Sequence, residues 1–212
     1  MPITNGYITL ATFHAHLDPT GQARWTATDT LNQEIAIESA SRWIDAFCRT
    51  RFYASTETRY YTPTLWGTLY LPDDLLSITT LKTDDDDDGT YEQTWATTDY
   101  HLKPDNAALD GRPYRAIEVA DTSQLSLPVA VQKGVEIVGS FGYSAGVSTL
   151  APAAIKQACL LLANRLWRRK DTVFGTAGTA ALSVTEVTSG IVGDADIMAL
   201  LKTAYSRRGG MF

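Results

Sequence analysis

A chain of 212 residues, 44% of them hydrophobic and 20% charged, has ordinary globular composition and room for one large domain or two small ones. At that length folding buries roughly 70% of the unfolded-chain surface, so neither a disulfide nor a metal is needed to hold a core together. The formal net charge of −6 speaks against a protein whose main task is gripping nucleic-acid phosphates, although a mildly acidic wall that DNA slides past is compatible with it.

The first six residues, Met1-Pro2-Ile3-Thr4-Asn5-Gly6, lack the basic start and apolar run of a signal peptide, so no leader is expected. The pattern then predicts a short helix over residues 8–17, with Thr9 as its N-cap, closed by Asp18-Pro19-Thr20-Gly21. Residues 24–30 lead into a longer helix, for which Thr28, Asp29 and Thr30 are candidate caps. Leu31, Ile35, Ile37, Ala40, Ile44, Phe47 and Cys48 recur at spacings near three and four. They predict one buried stripe, with Glu34, Glu38, Arg42 and Asp45 largely outside it.

From Arg51 to about Phe141 the composition turns to Thr, Tyr, Val and Trp, punctuated by turn residues. Strands are predicted at residues 57–61, 67–71, 78–83, 91–94, 100–103, 116–120 and 135–141, which suggests a small antiparallel sheet, sandwich or barrel. Helical periodicity returns after Pro152, a residue suited to a first turn. Ile155, Ala158, Cys159, Leu162, Leu166 and Trp167 form an amphipathic stripe, too short in its most apolar part (residues 158–163) to span a bilayer. Residues 175–193 are rich in Gly, Ala, Thr and Ser. A last helix over residues 195–205 carries Ile197, Leu200, Leu201 and Ala204 on one face, and residues 206–212 read as a flexible tail. Neither long amphipathic helix can hide its stripe alone, so the two are expected to pack on each other. The fold class expected is α+β. Helices from residues 1–50 and 147–212 form the core, and residues 51–146 form an inserted antiparallel β lobe.

Several patterns invite a chemical reading. Gly142-Tyr143-Ser144-Ala145-Gly146 matches the G-x-S-x-G nucleophile elbow and makes a serine hydrolase using Ser144 the alternative from another class. Against it, five residues separate the motif from Pro152, and the histidines His14, His16 and His101 all precede the serine. A glycine-rich strand-to-helix turn accounts for the same residues. Asp84, Asp86 and Asp88, followed by Gly89, take the first ligand positions of a calcium loop. The closing glutamate of that loop would fall on Trp95, so a solvated hairpin tip is the expected reading. His14 and His16 lie two apart on a helix and do not share a face. Cys48 and Cys159 are read as small core residues and not as a disulfide. No metal or cofactor is expected. The basic cluster Arg165, Arg168, Arg169 and Lys170 admits three readings: a solvated helix end favoured by the helix dipole, ion pairs to a neighbouring subunit, or contact with DNA. Arg207 and Arg208 stand in a tail that can order on binding.

Read in order, several segments resemble the head–tail connector proteins of tailed bacteriophages, often described as adaptor or head-completion proteins. They are Ile8-Thr9-Leu10-Ala11, Ile37-Glu38-Ser39-Ala40-Ser41-Arg42-Trp43-Ile44-Asp45, Arg51-Phe52-Tyr53-Ala54, Thr58-Arg59-Tyr60-Tyr61 and Leu69-Tyr70-Leu71-Pro72-Asp73-Asp74-Leu75-Leu76-Ser77-Ile78. The firmest runs from Pro152 to Ala163 and continues through Arg165-Leu166-Trp167-Arg168-Arg169. The likeness is thinnest across residues 82–115 and 175–193, and the aspartate-bearing strand lobe is a departure from shorter members.

That resemblance implies a structural subunit and not an enzyme. It implies a ring, commonly of twelve copies, beneath the portal protein, extending a channel through which double-stranded DNA passes without sequence-specific contact. It implies a platform for stopper or tail proteins and a place at the head–tail interface of the virion, with synthesis in the host cytoplasm and no membrane. It assigns portal contact to the C-terminal region, with Arg207, Arg208, Met211 and Phe212 as contacts. A stopper or tail-terminator subunit is the alternative within virion assembly.

Overall fold

The computed structural model describes residues 3–143, 152–169 and 195–206, with side chains of the last helix described as far as residue 202. The chain divides into two units, one of Met1–Arg49 with Pro152–Phe212 and one of Thr50–Ala151. Its class is α+β, with four helices and a six-stranded antiparallel sheet among the described residues.

The helical unit begins with α1 (Leu10–Leu17). The Thr9 hydroxyl accepts the Thr12 N–H at 3.1 Å and satisfies one of the amides that a helix start leaves without a partner. Helix α2 (Ala27–Cys48) departs from the sequence reading in two ways. Its N-cap is Thr26, ahead of the residues expected. The Thr26 hydroxyl accepts the Asp29 N–H, and the Asp29 carboxylate accepts the Thr26 N–H in return, so Asp29 serves as the reciprocal partner of a capping box. The apolar stripe also splits. Ile37, Ala40, Ile44 and Cys48 are buried, together with Gln33, Ala36 and Ser41. Leu31 and Ile35 are 44% and 48% exposed, and Phe47 is half-buried. Residues four apart lie on one side of a helix whichever side that is, so spacing alone merges two opposite faces.

Helix α3 (Ala153–Arg168) starts from Pro152, which sits at the N-cap; its carbonyl accepts the Ile155 and Lys156 N–H groups at 2.9 and 3.0 Å. Ile155, Ala158, Cys159, Leu162, Ala163 and Trp167 are buried, while Leu166 is half-buried. In α4 (Ala195–Ser206), Ile197 and Leu201 face the core. Helices α2 and α3 pack on each other as expected. At their junction the buried Ser41 hydroxyl donates to the Ile37 carbonyl at 2.8 Å, accepts the Tyr7 N–H at 3.1 Å and lies 3.4 Å from Cys159 Sγ. The large side chains that this packing removes from water, Ile37, Ile44, Ile155 and Leu162 among them, each contribute about 1.5–3 kcal/mol.

The second unit is built on one sheet in the order β1-β6-β2-β5-β4, with β3 beside β2. Its strands are β1 (Ser55–Tyr61), β2 (Thr68–Thr83), β3 (Gln93–Thr94), β4 (Tyr100–Lys103), β5 (Tyr114–Val119) and β6 (Val135–Phe141). The 67–71 and 78–83 strands read from the sequence are halves of a single sixteen-residue strand. Its first half pairs with β5 and its second with β6. Pro72 makes the sequence read as a turn because proline offers no ladder N–H. Here it lies, exposed, where the β2–β5 register shifts between Tyr70 and Leu75, a place where a missing donor is tolerated. Two further register shifts against β6 bring the Ser77 carbonyl over Gly139, whose added Cβ would stand 2.3 Å from that oxygen. Leu75, Leu81, Ile117, Leu127, Ile137 and Phe141 form the centre of this unit's core, all with at most 1% exposure.

Candidate functional site

The basic cluster lies where the dipole of α3 favours it. Arg165 and Arg168 fall in the last turn and Arg169 caps the helix, its N–H donating to the Arg165 and Trp167 carbonyls. All three side chains are exposed; Lys170 lies outside the described residues. Arg168 Nε donates to Asn164 Oδ1 at 2.9 Å, and Asn164 Nδ2 lies 3.4 Å from His16 Nε2, which ties this end of α3 to α1. Helix α3 contains no acidic residue, whereas α2 contains Asp29, Glu34, Glu38 and Asp45 against one arginine, Arg42. Arg42 pairs with Glu38 at 3.1 Å and with Asp45 at 3.1 Å.

The aspartate run joins β2 to β3, and residues 85–88 are exposed, so it forms the hairpin tip that the sequence suggested. Asp84 differs from its neighbours. It is 3% exposed, and its carboxylate accepts the Asp87 and Gly89 N–H groups at 2.9 and 2.8 Å. Asp87 and Gly89 take positive φ to close the turn. Carboxylate oxygens of Asp84, Asp86 and Asp88 fall within 4.8 Å of one another. Trp95, the residue in the closing-glutamate position, is buried in the sheet core with Nε1 donating to Thr83 Oγ1 at 3.2 Å. The loop geometry is accounted for by its own backbone bonds.

The histidines are divided between the units, His14 and His16 in the helical one and His101 in the strand one. His14 Nε2 lies 2.7 Å from Gln33 Oε1 and its ring stacks on Trp25, while His101 is exposed on β4 in the other unit. Both cysteines are buried as thiols, and burial pushes the Cys159 thiol up to about 11. Of the serine motif, Gly142 is described and has a reason of its own: its φ is +141°, and an added Cβ would stand 2.2 Å from the Tyr53 carbonyl oxygen. Ser144, Arg207, Arg208, Met211 and Phe212 lie outside the described residues.

Two features escape the sequence reading. One is the exposed Leu31 and Ile35 pair on the outward side of α2, with Glu34 and Glu38 among them. The other is an ion network across β1 and β2. Arg51 donates twice to Glu57 at 2.8 and 3.1 Å, Arg59 donates to Glu57 and pairs with Asp73, and the Tyr61 hydroxyl donates to Asp73 at 3.2 Å. Hydrogen bonds from Arg51, then from Ser55 and Arg59, outweigh burial and hold the Glu57 carboxyl down at about 2. Asp74 is buried close by, accepting from Thr50 and paired with Arg115 at 3.2 Å. Alternation along a strand predicts which side chains face inward, not which charges meet across strands.

No protein-family model matches this chain, and no curated protein matches it. Solved structures do. A chain from the neck of an empty gene transfer agent (GTA) particle, computed with C6 symmetry, superposes with a TM-score of 0.55 at 20% identity, covering 96% of this chain and 91% of its own length. A chain from the virion of a native gene transfer agent particle superposes with a TM-score of 0.56 at 18% identity, with the same coverage of both chains. The likeness is one of fold. It covers residues of both units.

Proposed function

We propose that this chain is a structural subunit of the joint between head and tail of a tailed bacteriophage or a related particle. In this reading it is an adaptor whose copies form a ring beneath the portal, extend the DNA channel and support attachment of the stopper or tail. The observation that carries the reading is the fold shared over 96% of the chain with a protein of a GTA particle neck. The ordered run of connector-like segments in the sequence supports it independently.

The work done is assembly and not turnover. Copies join side by side through one heterologous interface that closes into a ring, with twelve as the expected number. Arg165, Arg168, Arg169 and Lys170 contact a neighbouring copy or passing DNA, the latter without sequence preference because only phosphates are met. Arg207, Arg208, Met211 and Phe212 dock on the portal, the charged pair by ion pairing and the terminal pair by burial. The protein is made in the host cytoplasm and resides in the virion. Negative-stain images of the chain mixed with portal should show a ring stacked on the portal. A chain truncated after Tyr205 should keep its circular dichroism spectrum and lose portal binding; undiminished binding by the truncated chain would refute the assignment of the tail.

A further inference from the structure

We propose that the chain, before it joins a particle, pairs with a second copy of itself through strand β1, edge to edge and antiparallel about a two-fold axis at Thr58. The inference goes beyond the connector reading and does not depend on it. Neighbours in a ring about one axis meet head to tail, so a two-fold pair is a form that precedes such a ring and has to open to enter it.

Strand β1 ends the sheet, with β6 on one side and, among the described residues, no strand on the other. Hydrogen bonds at the two ends of β6 fix which of its backbone groups face which neighbour. The Gly134 carbonyl accepts the Asp84 N–H and the Gly142 N–H donates to the Asp74 carbonyl, so the even-numbered residues of β6 face β2. The Tyr143 N–H, of odd number, donates the other way, to the Arg51 carbonyl. Val135, Ile137, Gly139 and Phe141 therefore face β1, where Tyr61, Arg59, Glu57 and Ser55 stand opposite them. The backbone N–H and C=O groups of Thr56, Thr58 and Tyr60 then point away from the sheet, and they have no partner among the described residues. The side chains of these three residues are exposed as well.

An open edge is commonly blunted by lysine, proline or a bulge. Strand β1 holds neither lysine nor proline, and its register against β6 runs without a shift. The charges it does carry, Glu57 and Arg59, alternate onto the core side, where Arg59 lies 4.5 Å over the Phe141 ring. These charges select the register of a second copy. Two edges bond only through residues that both point outward, so Thr56, Thr58 and Tyr60 have to meet the same three residues of the copy. With Thr58 opposite its counterpart all three pairs form, Thr56 against Tyr60, and Glu57 comes opposite the copy's Arg59. Each keeps its partners within its own chain, and the two ion networks join. The next permitted register on either side loses one pair and sets Glu57 against Glu57 or Arg59 against Arg59, which like charges disfavour. The edge is thus complementary to itself in the register of greatest overlap, and this makes a second copy its occupant.

Sedimentation velocity on the full chain tests the pair. Wild type should be a dimer. Thr58→Pro removes an outward N–H and none that faces β6, so it should keep the wild-type circular dichroism and dissociate at least about tenfold more readily. Thr58→Val keeps the N–H and should be as dimeric as wild type. Introduced cysteines read the register, since the native two are buried. Thr58→Cys should give a disulfide-linked dimer under mild oxidation, because opposed residues stand about 5.5 Å apart at Cα. Thr56→Cys and Tyr60→Cys should each stay unlinked alone and link to one another when mixed. A wild type found only as monomer or only as closed ring, or a Thr58→Pro chain that dimerises like wild type, overturns the pairing. Self-linkage of Thr56→Cys in place of Thr58→Cys overturns the register. If wild type is monomeric and Thr58→Pro instead abolishes binding to portal or tail proteins, the edge takes a strand of another protein and the second copy is refuted.

Discussion

Replacing Glu57 by glutamine should flatten the acid limb of the stability curve. The carboxylate receives two bonds from Arg51 at 2.8 and 3.1 Å, two from Arg59 at 2.9 and 2.8 Å, and one from the Ser55 hydroxyl at 2.6 Å. These hold its pKa at about 2, against an ordinary value of 4.5. At about 1.4 kcal/mol per unit the full shift corresponds to about 3 kcal/mol. The side chain is 31% exposed, however, and solvent screens its partners, so about 1–2 kcal/mol is the contribution to expect. A depressed carboxyl binds protons more readily in the unfolded chain. Its contribution is therefore present in full above pH 4.5 and disappears as pH falls from there through about 2. Thermal or urea unfolding of wild type and Glu57→Gln, run from about pH 6 to about pH 2, should show a stability gap that narrows by about 1–2 kcal/mol across that window. A gap of constant size over the whole range would mean that the network does not discriminate the charged from the neutral carboxyl, and the reasoning would fail.

Gly142→Ala should destabilise the strand unit by at least about 2 kcal/mol, read from urea midpoints, because the methyl group would meet the Tyr53 carbonyl oxygen and φ is +141°. A wild-type midpoint would show that the turn relaxes freely. Thr26→Ala should cost about 1 kcal/mol in thermal unfolding by removing the oxygen that accepts the Asp29 N–H; Thr28→Ala, two residues later within the helix, serves as the control that should change little. Cys159, buried with its thiol pushed up to about 11, should resist maleimide in the native chain at neutral pH and react readily once the chain is unfolded in urea. Fast labelling of Cys159 in the folded protein would show that α2 and α3 do not stay closed over it.

The candidate site was legible in part. The basic end of α3 and the exposed aspartate tip announce themselves as runs of like charge, and both stand where the sequence put them. The acidic apolar face of α2 did not, because Leu31 and Ile35 obey the same spacing as the residues that are buried. The sequence reading assigned them to the core; the structure leaves them in water. Asp84 shows the same limit on a smaller scale. Five consecutive aspartates look equivalent, yet one of them accepts two backbone N–H groups and leaves solvent, and which one depends on where β2 ends.

By itself the sequence determined what local forces decide. The α+β class, the end of α1 at Leu17, the existence of α3, the start of α4 at Ala195, the strands β4 and β6, and the cap at Thr9 all follow from side-chain periodicity and from hydrogen bonds made within a few residues. The tertiary structure alone decided which side of α2 faces the core, that Pro72 lies within one strand instead of dividing two, and that Glu57 sits between Arg51 and Arg59 while Arg59 reaches on to Asp73. Each of these is settled by a surface or a charge supplied from elsewhere in the chain, and a contact between distant residues leaves no period in the residues that make it.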